Sequence, residues 1–176
     1  MVFFCQNNQW AISEPTKRQS RVPLSQRAEG FGLPGVRVDG NDVIACHAVT
    51  VEALNRARSG QGPTLIEAVT YRMGAHTTSD DPTKYRDSAD DELWRGRDPI
   101  DRLRIYLRAK GVLNGDIASE LARNAVSLAE RMRESCRELP DPHPLSMFDH
   151  VYAGSDGRID EQRREVETIL SEGRVI

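Results

Sequence analysis

No apolar run in this chain of 176 residues approaches the roughly 20 positions that a membrane span needs. No basic, apolar and small-residue leader pattern opens the sequence. Charge of one sign is scarce as well. The formal net charge is -3, so a general nucleic-acid role has no electrostatic support. Cysteine is sparse and odd in number: Cys5, Cys46 and Cys136 lie far apart and form no metal-ligand or redox pair by spacing. They read as reduced thiols that fill space, with a cytoplasmic location as the expectation. The chain has no Gly-x-Ser-x-Gly elbow, no phosphate-cradling Gly-x-x-x-x-Gly-Lys loop and no His-Glu-x-x-His helix. Asp80-Asp81 and Asp90-Asp91 are sequence neighbours whose side chains need not converge, so a two-carboxylate acid/base site is not supported.

What is there describes an ordinary protein on the polar side, with 38% hydrophobic and 29% charged residues. The length suits one domain with a real core, or a smaller domain plus an extension. Val2-Phe3-Phe4-Cys5 reads as the end of a buried strand, which needs pairing on both sides, so further sequence is expected upstream. A polar region follows from Gln6 to Pro23, where Pro15 and Pro23 argue against a continuous helix. Leu24 to Gly30 suits a short helix, and Val36-Arg37-Val38 a brief strand turning at Asp39-Gly40. Asn41 or Asp42 caps a helix running to about Arg58, with Gly60 as its stop and Val43, Ile44, Val49, Leu54 and Ala57 on one buried face. Residues 63–69 are nearly all apolar except Glu67, as in a parallel strand covered on both sides.

Strand, helix, strand is the βαβ unit of a parallel sheet. Past Arg86 the pattern is helical: Ser88 to Arg95, a helix capped by Asp98 with Pro99 first and ending at Gly111, and a long one from Gly115 to Glu138. Short helical pieces are expected at Met147 to Tyr152 and Asp160 to Ser171.

Two segments carry candidate chemistry. Gln6-Asn7-Asn8-Gln9-Trp10-Ala11-Ile12-Ser13 sits where the first strand ends, and its adjacent amides offer hard oxygen ligands of the kind magnesium takes beside phosphate oxygens. An ordinary Asn-Asn turn explains the same residues. The second segment, Tyr71 to Arg86, leaves a core strand with a histidine, hydroxyls, two adjacent carboxylates and two arginines. His76 can donate a proton or bind phosphate when charged. Asp80 and Asp81 can pair with Arg72 and Arg86 to hold the loop in shape. A solvated loop with incidental ion pairs is the competing reading. His47 is expected on a helix surface, and His143 and His150 in structural roles.

Taken in order, Phe3 through Pro15, Val36 through Asp42, Gly62 through Glu67, the His76 loop through Tyr85-Arg86, and Asp98 through Leu103 resemble one family. That family is the alpha subunit of the first, decarboxylating component of 2-oxo acid dehydrogenase complexes. The resemblance covers nearly the whole chain and weakens after about residue 115. It implies an α/β fold, here a partial parallel-sheet thiamine-diphosphate-binding domain over 1–87 with a carboxyl-terminal helical extension over 88–176. The extension is expected to pack on that domain and on a partner beta subunit, in an alpha/beta heterotetramer. The implied reaction is oxidative decarboxylation of a 2-oxo acid, with acyl transfer to a lipoyl group on the complex's core acyltransferase. Pyruvate and a branched-chain acid such as 3-methyl-2-oxobutanoate both remain open as substrate. No nucleic-acid or membrane partner is implied.

The resemblance also assigns roles. Asn8 would bind magnesium through its side chain and Trp10 through its backbone carbonyl, while Asn8, Trp10, Ile12 and His76 would line the cofactor. His76 would serve the acylation step. Arg72, Asp80, Asp81, Tyr85 and Arg86 would order the loop. The family's Gly-Asp-Gly or Gly-Glu-Gly, whose acidic residue completes the metal's protein ligands, is not in this chain. Gln6 stands where some relatives carry a charged residue that reaches the diphosphate, and Thr77 where animal members carry a regulatory serine. An inactive interaction module that keeps only the subunit-contact surface is the alternative reading. A dication held by one amide and one carbonyl gains no anionic protein ligand to offset its dehydration. The chain alone is therefore predicted to bind thiamine diphosphate and magnesium weakly or not at all in isothermal titration; micromolar binding would contradict this.

Overall fold

Residues 64–69 alternate side chains between two faces of a strand, and both faces are covered. This strand, β5 (Thr64–Val69), is the centre of a three-stranded parallel sheet of order β1-β5-β4, with β1 spanning Val2–Asn7 and β4 spanning Gly35–Asp39. Val2 pairs with Thr64 on one side, and Gly35 with Leu65 on the other. The computed structural model describes residues 1–173, so positions 174–176 of the expected helical extension lie outside the described residues.

Helix α2 (Val43–Arg58) connects β4 to β5, which is the expected βαβ unit. Asp42 caps it, accepting from the N–H groups of Ile44 and Ala45 at 3.0 Å each. Asn41 does not share in the cap. Its amide donates to the Arg97 carbonyl at 2.9 Å and so ties the turn after β4 to the later helices. The expected buried face of α2 is only partly so. Val43 and Ile44 are half exposed, because they line a groove of about 490 Å³ with Pro99, Leu103 and Tyr106 instead of resting on the sheet. His47 is exposed, as expected.

β1 differs from the expectation of a buried strand. Among the described residues it pairs only with β5, and Phe3 and Phe4 are 46% and 51% exposed. Successive side chains point to opposite faces, so both faces of this edge are uncovered. Beyond β1 lies a hairpin of β2 (Trp10–Ala11) and β3 (Glu14–Pro15), followed by the single turn α1 (Thr16–Gln19). The Leu24–Phe31 segment is a 3-10 helix that ends at Gly32 in the left-handed conformation, φ 69°.

The helices α3 (Ser88–Arg95) and α4 (Pro99–Ala109) begin at side-chain caps from Asp87 and Asp98, with Pro99 opening α4. Arg102 of α4 bridges Asp39 at 2.7 Å and Asp42 at 3.3 Å, fastening this helix to the end of β4. By its internal contacts the chain divides into two compact units, Met1–Ala118 and Ser119–Ile176. Helix α5 spans Gly115–Glu138. In the second unit, Pro144–Phe148 forms a 3-10 turn and α6 spans Gly157–Ser171. The turn starts earlier than expected because the His143 ring accepts the Leu145 N–H at 3.3 Å and Pro144 presets its first residue.

The 3-10 segment lies close against the sheet. A Cβ added at Gly35 would stand 1.9 Å from the Ser25 carbonyl oxygen, so the backbone itself blocks any larger residue. Gly35→Ala is expected to cost about 3 kcal/mol, at the upper end for overpacking, measured by urea unfolding. Gly74→Ala, which meets nothing within 4 Å, is the control. Equal stabilities for the two would refute the close approach.

Candidate functional site

The carboxyl ends of β1, β4 and β5 lie side by side, where open parallel sheets bind ligands. A cavity of about 560 Å³ opens there, lined by Gln6 of β1 and Asn8 just after it, Gly40 after β4, Thr70 and Arg72 after β5, and Trp94 of α3. Gly40 makes this convergence possible. A Cβ on it would come within 2.4 Å of Thr70 Cγ2 and 2.9 Å of the Val69 carbonyl oxygen. Its N–H donates to that carbonyl at 2.8 Å.

The turn after β1 is built from side-chain oxygens that accept backbone N–H groups two residues on. Asn7 Oδ1 accepts from Gln9 and Asn8 Oδ1 from Trp10, each at 3.0 Å. The backbone is strained at two places: Gln9 has φ 68° and Ile12 φ 55°. For a β-branched residue such as Ile12 this conformation costs about 1–3 kcal/mol. The strain is held from outside, since Arg72 Nη2 donates to the Ile12 carbonyl at 2.6 Å and Gln9 Nε2 to the Thr70 carbonyl at 2.8 Å. Sequence reasoning missed this hairpin, because no glycine marks its left-handed positions.

Glu67 was also missed. It is 1% exposed, and its carboxylate accepts from Asn7 Nδ2 at 2.8 Å and from the Ser25 N–H at 2.9 Å. Burial acts to raise its pKa; the Ser25 N–H and the Asn7 amide outweigh it and hold the carboxyl below the usual range. A lone acid in an apolar strand was the available signal.

The expected pairing of Asp80 and Asp81 with Arg72 and Arg86 is not seen among the described residues: Arg86 pairs with Asp91, and Asp81 with Lys84. Arg86 is nearly buried and donates to the carbonyls of Arg72, Met73 and Gly74 at 2.6, 2.7 and 3.1 Å, while pairing with Asp91 at 3.2 Å. Arg72 also reaches the Tyr85 hydroxyl at 3.1 Å, and that hydroxyl donates to Asp80 at 2.5 Å. The second contact of Asp80 is the His76 N–H, at 2.8 Å. These bonds, the His76 N–H first and the Tyr85 hydroxyl second, hold the Asp80 carboxyl below its ordinary range. Asp81 serves a separate local turn through the Thr83 N–H and hydroxyl. Trp10 leans on Tyr85 with ring centroids 5.3 Å apart, and Tyr71 stacks flat on Trp94 at 5.4 Å.

The structure therefore brings Asn8, Trp10, Ile12, Arg72 and Tyr85 together. Of these, Asn8 and Arg72 line the cavity, whereas Trp10, Ile12, Tyr85 and the exposed His76 do not. Among the described residues His76 is held by its backbone N–H, which donates to Asp80. For a divalent cation, Asn8 Oδ1 keeps a second lone pair after accepting from Trp10, so the turn offers oxygen donors of the right type. No group of three or more His, Cys, Asp or Glu suited to a metal occurs among the described residues. The fit is to part of a magnesium shell, with neutral donors only.

Comparison with known proteins gives this arrangement its relatives. The family model described as "Dehydrogenase E1 component" matches residues 1–144. The chain belongs to the dehydrogenase E1 component family. It is 45% identical over 171 residues to 3-methyl-2-oxobutanoate dehydrogenase subunit alpha of Mycobacterium tuberculosis, covering 97% of this chain and 47% of that protein. It is 40% identical over 163 residues to the pyruvate dehydrogenase E1 component subunit alpha of Staphylococcus epidermidis, covering 92% and 44%. The same subunit of Acholeplasma laidlawii is 39% identical over 168 residues, covering 94% and 49%. The chain thus spans about half the length of these E1 relatives.

Asp80 is the junction of this loop's bonds, holding both His76 and Tyr85. Asp80→Asn keeps the shape of the acid but removes its charge, weakening two charge-assisted bonds. Trypsin is expected to cut the variant several-fold faster after Arg72 and Lys84 than the parent at equal global stability. Unchanged cleavage would contradict the assignment.

Proposed function

We propose that this chain supplies one wall of the thiamine-diphosphate site of a 2-oxo acid dehydrogenase, as part of its alpha subunit. The reading is supported above all by the convergence of the Asn8 turn, the Gly40 approach and Arg72 at the carboxyl ends of three parallel strands, in a chain of the E1 family. The enzyme would decarboxylate pyruvate or a branched-chain 2-oxo acid oxidatively and pass the acyl group to a lipoyl group on the acyltransferase core. A beta subunit would face the open side of the site in an alpha/beta heterotetramer. A cytoplasmic location belongs to the same proposal and draws on three cysteines that carry no disulfide.

Thiamine diphosphate, when bound, supplies the carbanion-stabilising chemistry of decarboxylation. The chain's residues would do the rest. Asn8 Oδ1 and the Trp10 carbonyl would hold magnesium, which in turn would hold the diphosphate. Ile12 sits in the strained turn beside them, and its carbonyl is engaged by Arg72. His76 would hold or move a proton during acyl transfer, from a loop fixed by Arg72, Asp80, Tyr85 and Arg86. The substrate is left between the two classes because relatives of both kinds match at similar identity.

A non-catalytic interaction module is the second reading, favoured by the exposed Phe3 and Phe4 of the β1 edge. One experiment separates the two. The 176-residue chain, and a version extended upstream to family length, are each co-expressed with the beta subunit. Both are assayed for 2-oxo acid-dependent reduction of an artificial electron acceptor. Activity is expected only from the extended chain, on pyruvate or 3-methyl-2-oxobutanoate. Inactivity of the extended assembly on both acids would overturn the proposal.

A further inference from the structure

We propose that Glu67 is a positioning residue for the Asn8–Trp10 turn: its carboxylate fixes the direction of the Asn7 amide, and that amide fixes the turn. The inference deepens the proposed function, because the turn it positions is the one read above as facing the cofactor. Glu67 occupies the middle of the central strand, where an aliphatic residue would serve packing alone. A buried carboxylate is costly unless its oxygens are paired, and both oxygens of Glu67 are committed, Oε1 to Asn7 and Oε2 to Ser25.

Donor and acceptor direction carries the effect from one residue to the next. An ionised carboxylate only accepts, so Asn7 must turn its NH2 group toward Glu67 and its oxygen away. That oxygen then takes the Gln9 N–H at 3.0 Å and the Thr16 hydroxyl at 3.2 Å. The Gln9 bond closes the chain into its left-handed conformation, and there Asn8 Oδ1 meets the Trp10 N–H. A flipped Asn7 would set donor against donor at Gln9 and release the turn. An amide in place of Glu67 cannot serve both donors, since one of them would face an NH2 group.

The test is amide hydrogen exchange on the 176-residue chain, its E67Q variant and the N7D/E67Q double variant. In E67Q the Gln9 and Trp10 amides are expected to exchange about tenfold faster or more, with the β4–β5 ladder still protected. In N7D/E67Q the carboxylate and amide have exchanged places. The new amide donates to position 7 and accepts from Ser25, and the new carboxylate accepts from Gln9 and Thr16. Exchange is expected to return to the parent rate. Unchanged exchange in E67Q, or a double variant as fast as the single one, would overturn the proposal. If E67Q does not fold, the double variant decides alone: parent-like protection supports the pairing and an unfolded chain overturns it. None of these readouts needs cofactor. A failed activity assay with a successful rescue would therefore count against the cofactor reading and not against Glu67.

Discussion

One buried carboxylate ties the central strand both to the 3-10 segment and to the turn after β1. Glu67 stands in the strand that pairs on both sides, yet its oxygens reach the 3-10 segment through Ser25 and the end of β1 through Asn7. Those two contacts lie in different parts of the sequence, so the carboxylate sets where the 24–31 segment rests and which way the β1 turn faces. Gly35 answers the same constraint from the neighbouring strand, because the Ser25 carbonyl leaves no room for a side chain there. An aliphatic residue at position 67 could fill the volume but would leave two N–H donors unpaired, at about 1–3 kcal/mol each.

The strain at Gln9 and Ile12 makes sense against that anchor. Left-handed backbone at non-glycine residues persists only where surrounding bonds over-determine it. Here Asn7, Thr70 and Arg72 do so from three sides. Arg72 also belongs to the His76 loop, where Arg86 gathers three consecutive carbonyls and Asp80 ties His76 to Tyr85. The turn after β1 and the loop after β5 are therefore one cross-braced surface. In the proposed function this surface would form one wall of the cofactor site.

Much of the fold could be read from local signals. Asp42, and Asp98 with Pro99, announced their helices because a cap is a short-range bond between a side chain and the next turn. The apolar run at 64–69 and the helix between 43 and 58 carried the parallel unit. The Asn-Asn pair and the His76 loop stood out as chemistry in the sequence; of the four residues expected to line the cofactor, Asn8 is on the cavity wall, whereas Trp10, Ile12 and His76 are not. What escaped has a common cause. The Glu67–Asn7 bond joins residues 60 positions apart, and no local propensity encodes it. The hairpin at 10–15 depends on Ile12 in a conformation its own side chain disfavours, so tertiary bonds had to supply what the sequence withheld. The half-exposed Phe3 and Phe4 gave the opposite error: their apolar character predicts burial, and no described strand covers the edge.

The central claim is that the Asn8 turn is the metal-facing end of a cofactor wall. Its most direct test is the anomalous-scattering position of Mn2+, substituted for Mg2+ together with thiamine diphosphate, in crystals of the alpha–beta assembly carrying the family-length chain. Manganese is predicted against Asn8 Oδ1 and the Trp10 carbonyl, at the carboxyl end of β1. A manganese ion bound by other protein oxygens, with Asn8 turned away from it, would contradict the claim.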